Sequence, residues 1–94
     1  MEVKLSKALA VGDKSIDTLK LDLDALTGAD IMLCMREAVA ATGRPLLGLK
    51  LDADLHLEIA AKASGVGVAD LRRLAAPDFV EVLSDVQNFL MSSG

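Results

Sequence analysis

The chain has no tryptophan, no tyrosine and only two phenylalanines, Phe79 and Phe89. Modules that grip single-stranded nucleic acid stack its bases on aromatic side chains. Both phenylalanines fall on a helical apolar stripe, which leaves no stacking platform. Cys34 is the single cysteine; it has no partner for an internal disulfide, and this usage suits a reducing cytoplasm. His56 is the single histidine. A zinc site needs three or four ligands, and no second Cys or His is there to complete one. Positive charge is also scarce. Ten Lys and Arg face 14 Asp and Glu, for a formal net charge of −4. That excludes the broad basic surface behind non-specific nucleic-acid binding and argues against docking on anionic lipid. Charges interrupt the apolar residues at short intervals, so no run approaches the ~20 needed to span a bilayer. From Glu2 onward the N-terminus alternates polar and apolar residues, unlike the apolar centre of a signal peptide.

What is present is a globular composition: 52% hydrophobic and 26% charged residues in 94 positions, enough for one domain, 1–94, and one core. The core is aliphatic, built from Leu, Ala and Val. Val3 and Leu5 alternate with Glu2, Lys4 and Ser6, the period of a half-buried strand. Val11-Gly12-Asp13-Lys14-Ser15 supplies a turn, and Leu19, Leu21 and Leu23 alternate with Lys20, Asp22 and Asp24 on the return. Ile16 is out of parity with those leucines, which predicts a bulge near Asp17-Thr18. The reading is an antiparallel hairpin over about 2–23.

The period then changes. Thr27-Gly28-Ala29-Asp30 has the spacing of a helix-capping box, and Ile31, Met32, Met35, Ala38, Val39 and Thr42 recur on one helical face. Leu33 and Cys34 widen the apolar arc, so the helix is expected to touch more than one neighbour, with Met32 and Met35 in the core. Gly43 and Pro45 end it. Leu46, Leu47, Leu49 and Leu51 are too apolar for an ordinary loop, while Pro45 and Gly48 disfavour a helix; a short extended segment over the sheet and a mobile contact loop both fit. Asp52 caps a second helix, whose inward face is Leu55, Ile59, Ala60 and Ala63 and whose stop is Gly65. A short helix is expected from Asp70 to Leu74. Pro77 and Asp78 open a last helix with the stripe Phe79, Val82, Leu83, Val86, Phe89 and Leu90, and Ser92-Ser93-Gly94 should fray. The fold class is therefore α+β: an N-terminal antiparallel β-hairpin, then three main α-helices and one short helix over about 28–91.

Motifs that could carry chemistry reduce to structural ones. Gly12-Asp13-Lys14-Ser15 resembles the end of a phosphate-binding loop, but Asp13 splits the Gly-Lys pair and the context is a hairpin. Gly65-Val66-Gly67 lacks the third glycine and the preceding strand of a dinucleotide fingerprint. Asp52 and His56 share a helix face without further ligands, and His56 reads as a partly exposed helix histidine. Cys34, far in sequence from any base, reads as a small buried hydrophobe. The pairs Asp22/Asp24 and Asp52/Asp54 sit where carboxylates are solvated and charged, not in apolar pockets that raise a pKa. Arg72-Arg73 reads as solvated helix surface. No catalytic, cofactor or metal site is expected, and an acyl-carrier role fails for want of an Asp-Ser-Leu attachment site.

A set of local strings, in order and spacing, resembles the phage tail assembly chaperones of Mu-like and P2-like tailed phages. Leu5-Ser6-Lys7, Val11-Gly12-Asp13-Lys14 and Leu26-Thr27-Gly28-Ala29-Asp30 carry the likeness in the first third. Leu57-Glu58-Ile59-Ala60-Ala61-Lys62-Ala63-Ser64-Gly65, Val68-Ala69-Asp70-Leu71-Arg72-Arg73-Leu74, Pro77-Asp78-Phe79 and Val86-Gln87-Asn88-Phe89-Leu90 carry it in the rest, with 36–51 least similar. The resemblance implies a non-enzymatic protein of the host bacterial cytoplasm, from a phage or prophage, absent from the mature virion. Its implied client is the long, helical tape measure protein. Implied further partners are a frameshifted longer form of the chain, tail tube subunits and other copies of itself, with no nucleic acid and no membrane. The competing expectation is a structural tail or head–tail connector subunit that stays in the virion. For partner binding the leading candidates are Leu46, Leu47 and Leu49, because a leucine run bracketed by Pro and Gly is hard to bury in a small domain. Phe89, Leu90 and Met91 come next.

Overall fold

The computed structural model describes residues 1–92. Two antiparallel strands, β1 (Glu2–Val11) and β2 (Lys14–Lys20), lead through a 3-10 turn (Leu23–Ala25) into four helices: α1 (Gly28–Thr42), α2 (Ala53–Ser64), the single-turn α3 (Val68–Leu71) and α4 (Ala76–Ser92). The α+β architecture expected from the hydrophobic periods is the one observed. The fraying expected at 93–94 lies outside the described residues, and Ser92 closes α4.

The hairpin turn is tighter than its sequence cluster, with Val11 paired to Lys14. Gly12 sits at φ +59, a conformation that side chains on other residues oppose. The expected bulge is present, but on the opposite strand. Lys4 pairs with Thr18 and Leu9 with Ile16, so five steps along β1 face two along β2. Parity reports that the strands are mismatched; it does not report which strand absorbs the surplus. Asp78, in the first turn of α4, decides that. Its carboxylate accepts the Ser6 amide on both oxygens at 2.9 and 3.0 Å, the Ser6 hydroxyl at 3.1 Å and the Lys7 amide at 3.3 Å. The two amides are backbone donors in the stretch of β1 where the ladder register is interrupted. The Ser6 amide bond, opposed by burial and joined by Lys7, holds the Asp78 carboxyl below its usual range. The strand also ends earlier than the alternation suggests, at Lys20, yet Leu21 and Leu23 remain buried.

Helix ends follow the capping residues. Thr27 and Asp30 form a reciprocal capping box, and Gly43 and Gly65 close α1 and α2 in the left-handed conformation. α3 starts two residues before its expected position, because Gly67 supplies the extended residue ahead of it. α2 is the centre of the domain: Leu55, Leu57, Ile59 and Ala60 are buried as it packs against α1, α3, α4, β2 and the 3-10 turn. On α4 the expected stripe holds, with Val82, Val86 and Leu90 buried and Phe79, Leu83 and Phe89 half-buried. α4 and α3 lie against β1.

α1 departs from expectation. α2 is the neighbour on which it packs, and the contact is made by Cys34 and Ala38, at 1% and 0% exposure. Small side chains let two helices approach closely. Met32 and Val39, placed on the inward stripe by periodicity, are instead exposed, and Met35 is half-buried. α2 carries the main contact of α1, and Met32, Leu33 and Val39 of the wide apolar arc face outward. Among the described residues no helix is long and apolar enough to cross a membrane.

Candidate interaction surface

The segment between α1 and α2 is neither an extended cover for the sheet nor an untethered loop. Asp52 organises it. One oxygen of its carboxylate caps α2 by accepting the Leu55 amide at 3.1 Å. The other reaches back to the Leu47 amide at 2.9 Å and lies 3.7 Å from the Arg44 guanidinium. Arg44 also pairs with Asp54. Asp52 is 1% exposed, and the Leu47 amide bond is the main reason that its carboxyl stays below the usual range, against the opposing cost of burial. Two further side chains hold the loop's carbonyls: His56 Nε2 donates to Leu49 O at 3.2 Å, and Gln87 Nε2 of α4 donates to Lys50 O at 3.2 Å.

His56 is therefore buried rather than partly exposed. A carbonyl oxygen only accepts, so this contact places a proton on Nε2. The Asp52–His56 face is committed to the loop backbone. Among the described residues no group of three or more His, Cys, Asp or Glu is arranged to hold a metal. Of the carboxylate pairs, Asp22 and Asp24 are exposed as expected, whereas Asp52 is buried because its oxygens are fully occupied by donors. Cys34 is buried, and burial pushes its thiol pKa up. Arg73 lies at the surface and ties α3 to Ala10 O of β1 and to Asp70.

Tethering the loop's backbone leaves its leucines directed elsewhere. Leu47 is 73% and Leu51 70% exposed, while Leu49 is 40% exposed. Leu46 turns inward, half-buried, and with α1 it forms a shallow groove of about 450 Å³ lined by Met32, Met35, Arg36, Val39 and Ala40. The groove wall is almost wholly apolar, with Arg36 its one charged member. Exposed apolar residues scattered singly need no explanation, whereas contiguous ones do.

Two of the three leading candidates, Leu47 and Leu49, are thus exposed, and the third, Leu46, floors the groove. At the end of α4 the result is mixed. Met91 is exposed and Phe89 half-buried, but Leu90 is 7% exposed and belongs to the core, so it is not a free contact. Sequence periodicity missed Met32 and Val39 as surface residues. The available signal was an apolar arc too wide for one neighbour.

A second depression, of about 370 Å³, lies where Glu37 of α1 meets Glu58 of α2. Burial, followed by a hydrogen bond with Glu37, pushes the Glu58 carboxyl above its usual value. Lys62 of α2 lines the same depression, and after burial the charges of Glu37 and Glu58 add to the upward push on the nearby Cys34 thiol. Comparison with models of known protein families, with curated proteins and with solved structures finds no match to this chain.

Proposed function

We propose that this protein is a non-enzymatic phage tail assembly chaperone, which binds the tape measure protein and keeps it from aggregating until tail tube subunits polymerise around it. The observation that carries this reading is the apolar groove of α1 and Leu46, beside leucines displayed on a tethered loop, in a chain of net charge −4. A long helical client exposes apolar stripes, and a chaperone must cover them reversibly. Methionine adapts to varied apolar partners, and net negative charge opposes self-precipitation. The family-like strings also fall at structural junctions: the hairpin turn at Gly12, the capping box at Thr27–Asp30, the glycine stop at Gly65 and the Asp78 clamp.

On this reading the chain acts in the bacterial cytoplasm and is left out of the finished particle. A frameshifted longer form of the chain and tail tube subunits are the further partners that this reading implies. Co-expression with the tape measure protein tests the client: the protein should move it from the pellet to the supernatant. Mass spectrometry of purified virions tests the fate. Finding the chain there in stoichiometric amount would favour a tail or head–tail connector subunit and overturn the chaperone role.

A further inference from the structure

We propose that the α1 groove receives an amphipathic helix of the client that carries a carboxylate beside its apolar stripe, and that Arg36 is the residue which selects that carboxylate. The proposal rests on the chaperone reading and specifies the kind of segment the chaperone holds.

The shape comes first. The α1 wall runs from Met32 to Ala40, eight steps at ~1.5 Å each, or about 12 Å. That is a little over two helical turns, the length over which a partner helix presents apolar side chains at i, i+3, i+4 and i+7. A small-molecule site is concave and carries several convergent polar groups. This groove is shallow and almost wholly apolar, Arg36 lining it chiefly with its aliphatic stem, which leaves the guanidinium at the rim.

Charge then chooses among helices. Arg44 and Arg73 are each held by aspartates, but among the described residues Arg36 has no ion pair and no side-chain hydrogen bond. It stands beside an apolar surface where a docked helix would exclude water. A guanidinium in that position favours a carboxylate, which it can bind through two parallel hydrogen bonds. A lysine there would be repelled, even though the chain's net charge of −4 attracts basic partners at long range.

The same residue argues against a second copy of this chain as occupant. In a two-fold pairing of α1 with itself, a residue near the middle of the patch meets its own equivalent. Arg36 is central in the 32–40 wall, so two guanidinium groups would be forced together. The adjacent carboxylate, Glu37, is engaged with Glu58 on the α2 side and lines the other depression.

The test uses the full chain and a fluorescein-labelled helical peptide of about 15–18 residues, with leucines at i, i+3, i+4 and i+7 flanked by glutamates. A second peptide replaces the glutamates with lysines. The glutamate peptide should bind at least about tenfold more tightly, Arg36→Glu should invert that preference, and Val39→Ser should weaken both peptides. Arg36→Gln serves if the reversal fails to fold, and it should abolish the preference. Equal binding of the two peptides, a preference for lysine, or a preference indifferent to Arg36 would overturn the proposal. So would a concentration-dependent dimer that Val39→Ser dissolves and that blocks the peptide. If the tape measure protein is solubilised while the peptides are not distinguished, the groove proposal fails and the chaperone reading stands. If the peptides are distinguished but the tape measure protein stays insoluble, the chaperone reading fails instead.

Discussion

Replacing Asp52 with alanine separates the loop's architecture from the stability of the core. The substitution removes the α2 cap, the acceptor of the Leu47 amide and the more distant of Arg44's two aspartate partners. Losing the cap costs about 1 kcal/mol, with a range of 0.5–2. The Leu47 amide loses a charge-assisted bond that contributes roughly 1.5–3 kcal/mol, discounted because water can reach an exposed residue. The Arg44 contact, at 3.7 Å from a half-exposed guanidinium that Asp54 also holds, adds about 0–1 kcal/mol. The expected total is about 2–3 kcal/mol, a sizeable part of the ~5–15 kcal/mol that holds a typical domain together. Urea melts measure it, and amide exchange should show faster opening at Leu47 and Leu55 than in the hairpin. Asp52→Asn keeps a capping side chain and should cost less. The pH dependence follows from the direction of the shift. The folded-state carboxyl titrates below its ordinary 3.8, so its contribution is complete above that value and is lost as pH falls through the folded pKa. The gap between wild type and Asp52→Asn should therefore close under acid conditions. A loss below about 0.5 kcal/mol for Asp52→Ala, the level of an ordinary surface change, would refute the idea that this carboxylate builds the loop.

Leu47→Ser and Leu49→Ser should each change stability by no more than about 0.5 kcal/mol while reducing solubilisation of the tape measure protein; unchanged client solubility in the double variant would show that the contact lies elsewhere. Ile59→Ala, in the fully buried centre of α2, should cost roughly 2–5 kcal/mol in the same melts and serves as the core control. Asp78→Ala should lower the urea midpoint well beyond Asp13→Ala, and the Ser6 and Lys7 amides should lose their exchange protection first. Asp78→Asn should rescue little, because both oxygens of the native carboxylate accept hydrogen bonds.

Local chemistry determined much of this protein. The hairpin, the capping box, the glycine stops and the α4 stripe were legible because each depends on residues a few positions apart: a turn needs Gly12, a helix start needs Thr27 with Asp30, and an amphipathic face needs a 3.6-residue period. The absence of aromatic platforms and of basic excess was also readable from composition alone. What the chain could not disclose locally depends on who packs against whom. Periodicity marked α1 as apolar over a wide arc, but only the position of α2 decided that Cys34 and Ala38 face inward while Met32 and Val39 face out. Parity announced a bulge, but an aspartate 72 positions away placed it on β1. Leucine content made 46–51 a candidate contact surface, but Asp52, His56 and Gln87 decided which leucines turn outward. In each case the deciding energy is a contact between different elements of the fold, from Asp52–Leu47 to Asp78–Ser6, that no hydrophobic period encodes and that exists only once the chain has folded.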